Sequence, residues 1–230
     1  MKLGCLALGL ALLVPGCVSM DSPTGPPEAA GPAAPPAPAT ARYRVTFDAT
    51  WSAQTHAVPA DPHFSPLIGG THGSAVRFWE AGGLASEGIR LMAERGRQSP
   101  LDLEVDAARA AGTAEHLLRG EAPRGSPSSI SLEFEVSQGF PLVTLVTMVA
   151  PSPDWFVGVD SLPLFENGRW TEERVVPLVP WDAGTDSGED FNSPDAPTMP
   201  REPIVRIGTP PLGAAGAAAP MGTFTFLRIG

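Results

Sequence analysis

The chain has 230 residues, of which 27 are proline and 25 glycine, a composition that excludes long helices over most of its length and suits short strands joined by turns. Its formal charge is -10, from 15 basic against 25 acidic residues, so the surface repels phosphate and nucleic acid is disfavoured as a partner. The 2 cysteines, Cys5 and Cys17, lie near the N-terminus and leave the remainder without an internal disulfide or a cysteine metal site.

Lys2 precedes an apolar run, Leu3 to Val14, that is too short to cross a bilayer but right for the core of a secretory signal. Val14-Pro15-Gly16-Cys17 follows and resembles the lipobox of bacterial lipoproteins, although Pro15 is unusual there. That resemblance implies a signal peptide over 1–16, a diacylglycerol on the Cys17 thiol and stable attachment through the N-terminal acyl chains. Val18 in place of an aspartate favours the outer membrane or cell surface in a cell with two membranes. The alternative is an ordinary cleaved signal with an incidental cysteine. Residues 17–41 read as a proline- and alanine-rich tether, and 42–230 as one folded domain.

From Arg42 to Trp51 the side chains alternate, with Tyr43, Val45, Phe47, Ala49 and Trp51 on one face, which predicts a half-buried strand. A loop with His56, His63 and His72 follows, then a short strand over Ala75 to Trp79. Leu84 to Arg95 and Leu101 to Arg119 have helical composition, interrupted by Gly88 and Gly112. Ile130 to Val136 alternates again, whereas Pro141 to Ala150 is continuously apolar and reads as a central strand buried on both faces. Trp155 to Val159, Arg174 to Val179, Ile204 to Ile207 and Gly222 to Ile229 bring the expected strands to about eight, an all-β sandwich or barrel with minor helices.

Acidic residues crowd two turns, Asp154 to Asp160 and Asp182 to Asp190. Asp182 and Asp186 flank Gly184, whose freedom to take positive φ lets the loop curl around both carboxylates. Calcium suits such a site because it takes six to eight oxygens and accepts backbone carbonyls and water. The plainer alternative is that these aspartates only cap their turns.

Long motifs in the same region are similar to the spondin N-terminal domain, whose animal members include F-spondin and mindin and which also occurs in bacterial exported proteins. They are His63-Phe64-Ser65-Pro66-Leu67-Ile68-Gly69, Ala85-Ser86-Glu87-Gly88, Pro151 to Val159, Trp170 and Asp182 to Gly188. The resemblance runs from about Tyr43 to Ile207. It implies a C2-like antiparallel β-sandwich with a calcium ion between loops at one edge, held by Asp154, Asp182 and Asp186 and a nearby backbone carbonyl, for which Trp155 is the candidate. Asp160 and Asp190 are assigned to the local potential. Animal members carry cysteines between the acidic segments, where this chain has Leu164, Phe165 and Gly168, so that disulfide is absent.

Other chemistries fit less well. His56, His63 and His72 lack a paired zinc spacing and read as loop anchors. Asp186-Ser187-Gly188 echoes a peptidase nucleophile segment, but Glu189 replaces the second glycine and there is no G-x-S-x-G elbow. The five tryptophans suit a core more than a glycan-stacking patch, with Trp155 and Trp181 the two whose exposure matters most. The expected function is a calcium-binding, lipid-anchored surface adhesion module, not an enzyme, with a cell-surface protein or glycan as partner. The alternatives are a structural envelope lipoprotein without a specific ligand, or a hydrolase.

Overall fold

The structure, a computed structural model, describes residues 36–214 and 216–230. The proposed signal peptide, Cys17 and most of the tether lie outside the described residues. In chain order the elements are β1 (Thr40–Ala49), β2 (His63–Phe64), β3 (Ile68–His72), α1 (Glu87–Arg95), α2 (Leu101–Ala110), β4 (Ala114–Arg119), β5 (Ser128–Ser137), β6 (Leu142–Ala150), β7 (Trp155–Pro163), β8 (Phe165–Glu166), β9 (Arg169–Trp170), β10 (Glu173–Leu178), β11 (Trp181–Asp182), β12 (Val205–Arg206) and β13 (Gly222–Arg228).

One sheet has the order β10-β13-β1-β5 and the other β12-β11-β7-β6-β3-β4, with β2 added beside β6. Every pairing in them is antiparallel. The inner faces close over Tyr43, Val45 and Phe47 of β1, Phe224 and Phe226 of β13, and Val143, Leu145 and Val149 of β6. Phe47 meets Phe64 and Phe224 edge-on, with ring centroids 5.0 and 5.3 Å away. That geometry adds about 0.5–1.5 kcal/mol per pair to the area buried.

The second sheet is covered on its other face too. Ile89 and Met92 of α1 and Leu101 and Val105 of α2 pack against Val146, Met148 and Phe156. This is why β6 is apolar at consecutive positions: odd and even residues serve different cores. The two helices are locked by Glu104, which accepts from the Ser86 hydroxyl and the Gly88 N–H, each at 2.7 Å. Surface ion pairs rest on arginine: Arg42 and Arg44 on Glu133, Arg90 on Glu87 and Glu94, and Arg95 on Asp195.

Several expectations change. β1 starts at Thr40, and Pro38 accepts a hydrogen bond from Trp170 Nε1, so the end of the tether is already part of the fold. Ala75 to Trp79 is not a strand; it is a turn that buries Phe78 and Trp79 over the second sheet. The strand is instead β3, with Gly69 and Gly70 at its centre. A Cβ at Gly69 would lie 1.9 Å from the Thr144 carbonyl oxygen, so close approach to β6 demands glycine there. The second helical segment ends at Ala110, and Ala114 to Arg119 turns back as edge strand β4.

His72, at the end of β3, is fully buried. Its Nδ1 can only donate to the Gly73 carbonyl, at 2.9 Å, so Nε2 accepts from the Thr144 hydroxyl at 2.8 Å. That hydroxyl oxygen accepts in turn from the Ser161 N–H at 3.1 Å. Burial holds the imidazole pKa below its usual 6.5, with Asp160 raising and Arg77 lowering it more weakly. The unfolded chain therefore takes up a proton that the folded chain refuses, and stability should fall as pH drops below about 6.5, by at most about 1.4 kcal/mol per pH unit for this one group. Urea unfolding between pH 7.5 and 5.5 should show a steeper loss for wild type than for His72→Gln; equal slopes would remove His72 as the cause.

Candidate metal site

The site lies at the end of the second sheet where β7 begins. Pro151-Ser152-Pro153 leads into Asp154, and the Ser152 hydroxyl fixes the turn by donating to the Val149 carbonyl at 2.6 Å and accepting from the Trp155 N–H at 3.1 Å. β11 pairs with β7 so that Asp182 stands opposite Trp155, and the Ala183 N–H donates to the Asp154 carbonyl at 3.2 Å. Two distant segments are thereby joined at the residues the sequence motifs marked.

The loop after β11 is built from its own aspartates. Asp182 Oδ1 accepts from the Gly184 N–H at 2.7 Å and Asp186 Oδ1 from the Gly188 N–H at 2.8 Å, two successive Asx turns. Gly184 has φ of 70°, and a Cβ on it would come 2.1 Å from the Glu202 carbonyl oxygen. Residues 184–187 run beside 196–202: Ser187 N–H donates to Ala196, Thr198 N–H to Thr185 and Glu202 N–H to Gly184. Asp186 Oδ2 accepts from the Ala196 N–H at 2.9 Å, which ties both of its oxygens to backbone.

Asp154 is fully buried. Its Oδ2 accepts from the Thr185 N–H at 2.7 Å, the Thr185 hydroxyl at 3.1 Å and the Asp186 N–H at 3.1 Å. Its Oδ1 is buried and has no hydrogen-bond partner. Burial first, and the Asp182 carboxylate second, push this carboxyl up to about 7 against the pull of those three bonds. Asp182 is raised as well, by burial and then by Glu202 and Asp186, while the Gly184 N–H lowers it. Burial and mutual repulsion thus disfavour full ionisation of Asp154 and Asp182.

A cleft of about 670 Å³ opens onto Asp182 and Asp186, lined among others by Trp155, Glu189, Glu202 and Arg206; Asp154 lies behind it, outside the lining. Glu202 carried no signal in the sequence, since it sits in a proline-flanked segment without a motif. Trp155 is buried, while Trp181 is half-buried under the Arg206 guanidinium, 5.9 Å from the ring centroid. Asp160 lies elsewhere, paired with Arg77 at 2.7 Å, and Asp190 is an exposed turn residue. Ser187 Oγ donates to the Ala196 carbonyl at 3.2 Å. His56 bonds Ala219, His63 bonds Asp61 and His72 bonds Thr144, so the histidines have separate partners.

Among the described residues, no group of three or more His, Cys, Asp or Glu side chains is gathered tightly enough to hold an ion unaided. The donor set still fits a hard cation. Asp154 Oδ1 has no hydrogen-bond partner, Asp182 Oδ1 and both Asp186 oxygens already accept backbone N–H groups but keep further lone pairs, and calcium accepts backbone and water oxygens to fill its shell.

Fold and site together define an antiparallel β-sandwich with helices on one face and an acidic loop cluster at one end. The family model described as Spondin_N matches residues 41–214, and the chain belongs to that family. Spondin-2 of Rattus norvegicus is 38% identical over 196 residues, 82% of this chain and 58% of the relative. Human Spondin-2 is 39% identical over 176 residues, 74% of this chain and 53% of the relative. Human Spondin-1 is 39% identical over 177 residues, 72% of this chain but 21% of the relative. The chain thus spans little more than half of the Spondin-2 relatives and about a fifth of Spondin-1.

Replacing Gly184 by alanine forces both positive φ and a backbone clash. It should destabilise the protein by about 2 kcal/mol or more in chemical denaturation; a loss within about 0.5 kcal/mol would mean the loop relaxes freely.

Proposed function

We propose that this chain is an exported, lipid-anchored binding module of the cell surface whose acidic loops are completed by a calcium ion. The observation that carries the calcium reading is the buried Asp154 carboxylate, one oxygen of which has no partner. An uncompensated buried charge is costly, and a cation between Asp154, Asp182 and Asp186 would offset it. The ion would supply positive charge and tie the start of β7 to the loop after β11. Adhesion to a cell-surface protein or glycan is proposed from membership of the Spondin_N family, and membrane attachment from the lipobox-like residues ending at Cys17.

Extracellular calcium modules bind with dissociation constants of about 10⁻⁴ to 10⁻³ M. At a hundredfold excess over that constant the stabilisation is about 2.7 kcal/mol, a rise in melting temperature of roughly 5–11 °C for a domain of this size. Asp182→Asn should remove most of the rise. Asp154→Asn should remove it too, yet leave the metal-free protein at least as stable as wild type, because the three bonds to Oδ2 remain and the buried charge is gone. Scanning calorimetry with calcium and with chelator decides: if wild type and both variants respond alike, these carboxylates are not the ligands. Separately, Cys17→Ser should move the protein from the detergent phase to the aqueous phase on Triton partitioning; retention in detergent would count against acylation at Cys17.

A further inference from the structure

β5 is hydrogen-bonded on one side only, by β1. The register of that pair, together with the Gln138 N–H donating to Ala39, assigns the backbone groups of Ile130, Leu132, Phe134 and Val136 to β1. The N–H and C=O groups of Ser129, Ser131, Glu133 and Glu135 point the other way, and among the described residues none of them has a hydrogen-bond partner. This is a row of free donors and acceptors on a ten-residue strand without proline. Such an edge is a template for another strand.

Two features select what that strand can be. Below the edge, between β5 and β4, lies a mixed groove of about 340 Å³, lined by Leu117, Leu118, Leu132 and Phe134 together with Arg119 and the two glutamates of β5, Glu133 and Glu135. The Nε2 of His116 is buried there without a hydrogen-bond partner, with Glu115 Oε2 3.9 Å away. On the outer face, Glu133 and Glu135 are exposed, and only Glu133 has ion-pair partners, Arg42 and Arg44. A strand laid along β5 would point alternate side chains towards the leucines and Phe134 of the groove and the others beside the carboxylates.

The proline-rich stretch ahead of β1 lacks too many N–H groups to fill this role. A second copy paired through its own β5 would set two Glu135 carboxylates, neither with an ion-pair partner, on one face of the new ribbon, which like-charge repulsion opposes. The charges that discourage self-pairing favour a basic partner. We propose that the free edge of β5 is a docking site for an extended peptide strand of alternating apolar and basic residues, which joins the four-stranded sheet as a fifth strand. The site is separate from the acidic cleft and does not depend on calcium.

The test is fluorescence polarisation with the full chain in calcium and a labelled octapeptide of alternating valine and arginine. Saturable binding is expected, weakened about tenfold or more when the peptide carries N-methyl groups on the residues that face the edge. Ser131→Pro removes one outward N–H and leaves the bonds to β1 in place, so it should weaken binding similarly with little change in melting temperature. Glu135→Lys should disfavour this peptide and admit one of alternating valine and glutamate. The proposal is overturned if a block-ordered peptide of the same composition, or the N-methylated one, binds as tightly. It is also overturned if Asp182→Asn abolishes binding while Ser131→Pro does not, which would place the peptide in the acidic cleft. A concentration-dependent dimer that Ser131→Pro dissolves would identify a second copy as the occupant instead.

Discussion

The arrangement at the end of the sandwich rests on how one buried carboxylate is held. Asp154 Oδ2 gathers two backbone N–H groups and a hydroxyl from Thr185 and Asp186, so the loop after β11 is fastened to β7 through a side chain and not through a long ladder. β11 itself contributes two residues to the sheet. With so little strand pairing, an apolar group in place of that carboxylate would leave Thr185 and Asp186 without their bonds to β7, and the loop would be held there by the Ala183 N–H on the Asp154 carbonyl and by its own strip beside Ala196 to Glu202. The cost of this fastening is a charge deep enough to be pushed towards neutrality, with its second oxygen left over. The calcium ion we propose would thus act on the same residue that fixes the geometry.

Much of the fold could be read from residue order where one physical rule dominates. β1 and β5 show a period of two because one face of each meets the core, and β6 shows no period because both of its faces are buried. The failures occur where local preference and tertiary demand disagree. β3 contains Gly69 and Gly70, which have poor strand propensity but are the residues that allow close approach to β6 and β4. β4 reads Ala-Glu-His-Leu-Leu-Arg, good helix material, yet pairing with β3 overrides it. Val76 and Phe78 alternate like a strand, but the turn is held by burial of Phe78 and Trp79, the former edge-on to His72 at 5.3 Å.

At the site, the turn chemistry was legible and the third dimension was not. Asx turns and a positive-φ glycine follow from Asp182, Gly184, Asp186 and Gly188 in a row. No local rule announces that Asp186 spends both oxygens on backbone N–H groups, nor that Glu202 comes to lie against the cleft from a separate segment. The expected disulfide-free core is compatible with the packing seen around Leu164 and Trp170, both buried, where side-chain volume closes the space between the sheets.

The arginine-only ion pairs bear on how the molecule meets reagents and enzymes. Lys2 is the single lysine of the chain, so residues 36–230 present no primary amine on a side chain. Amine-coupling dyes and cross-linkers will leave this domain unmarked, and a protease that cuts after lysine will find no site in it. The cationic half of its surface charge, carried by guanidinium groups, stays constant far into the alkaline range.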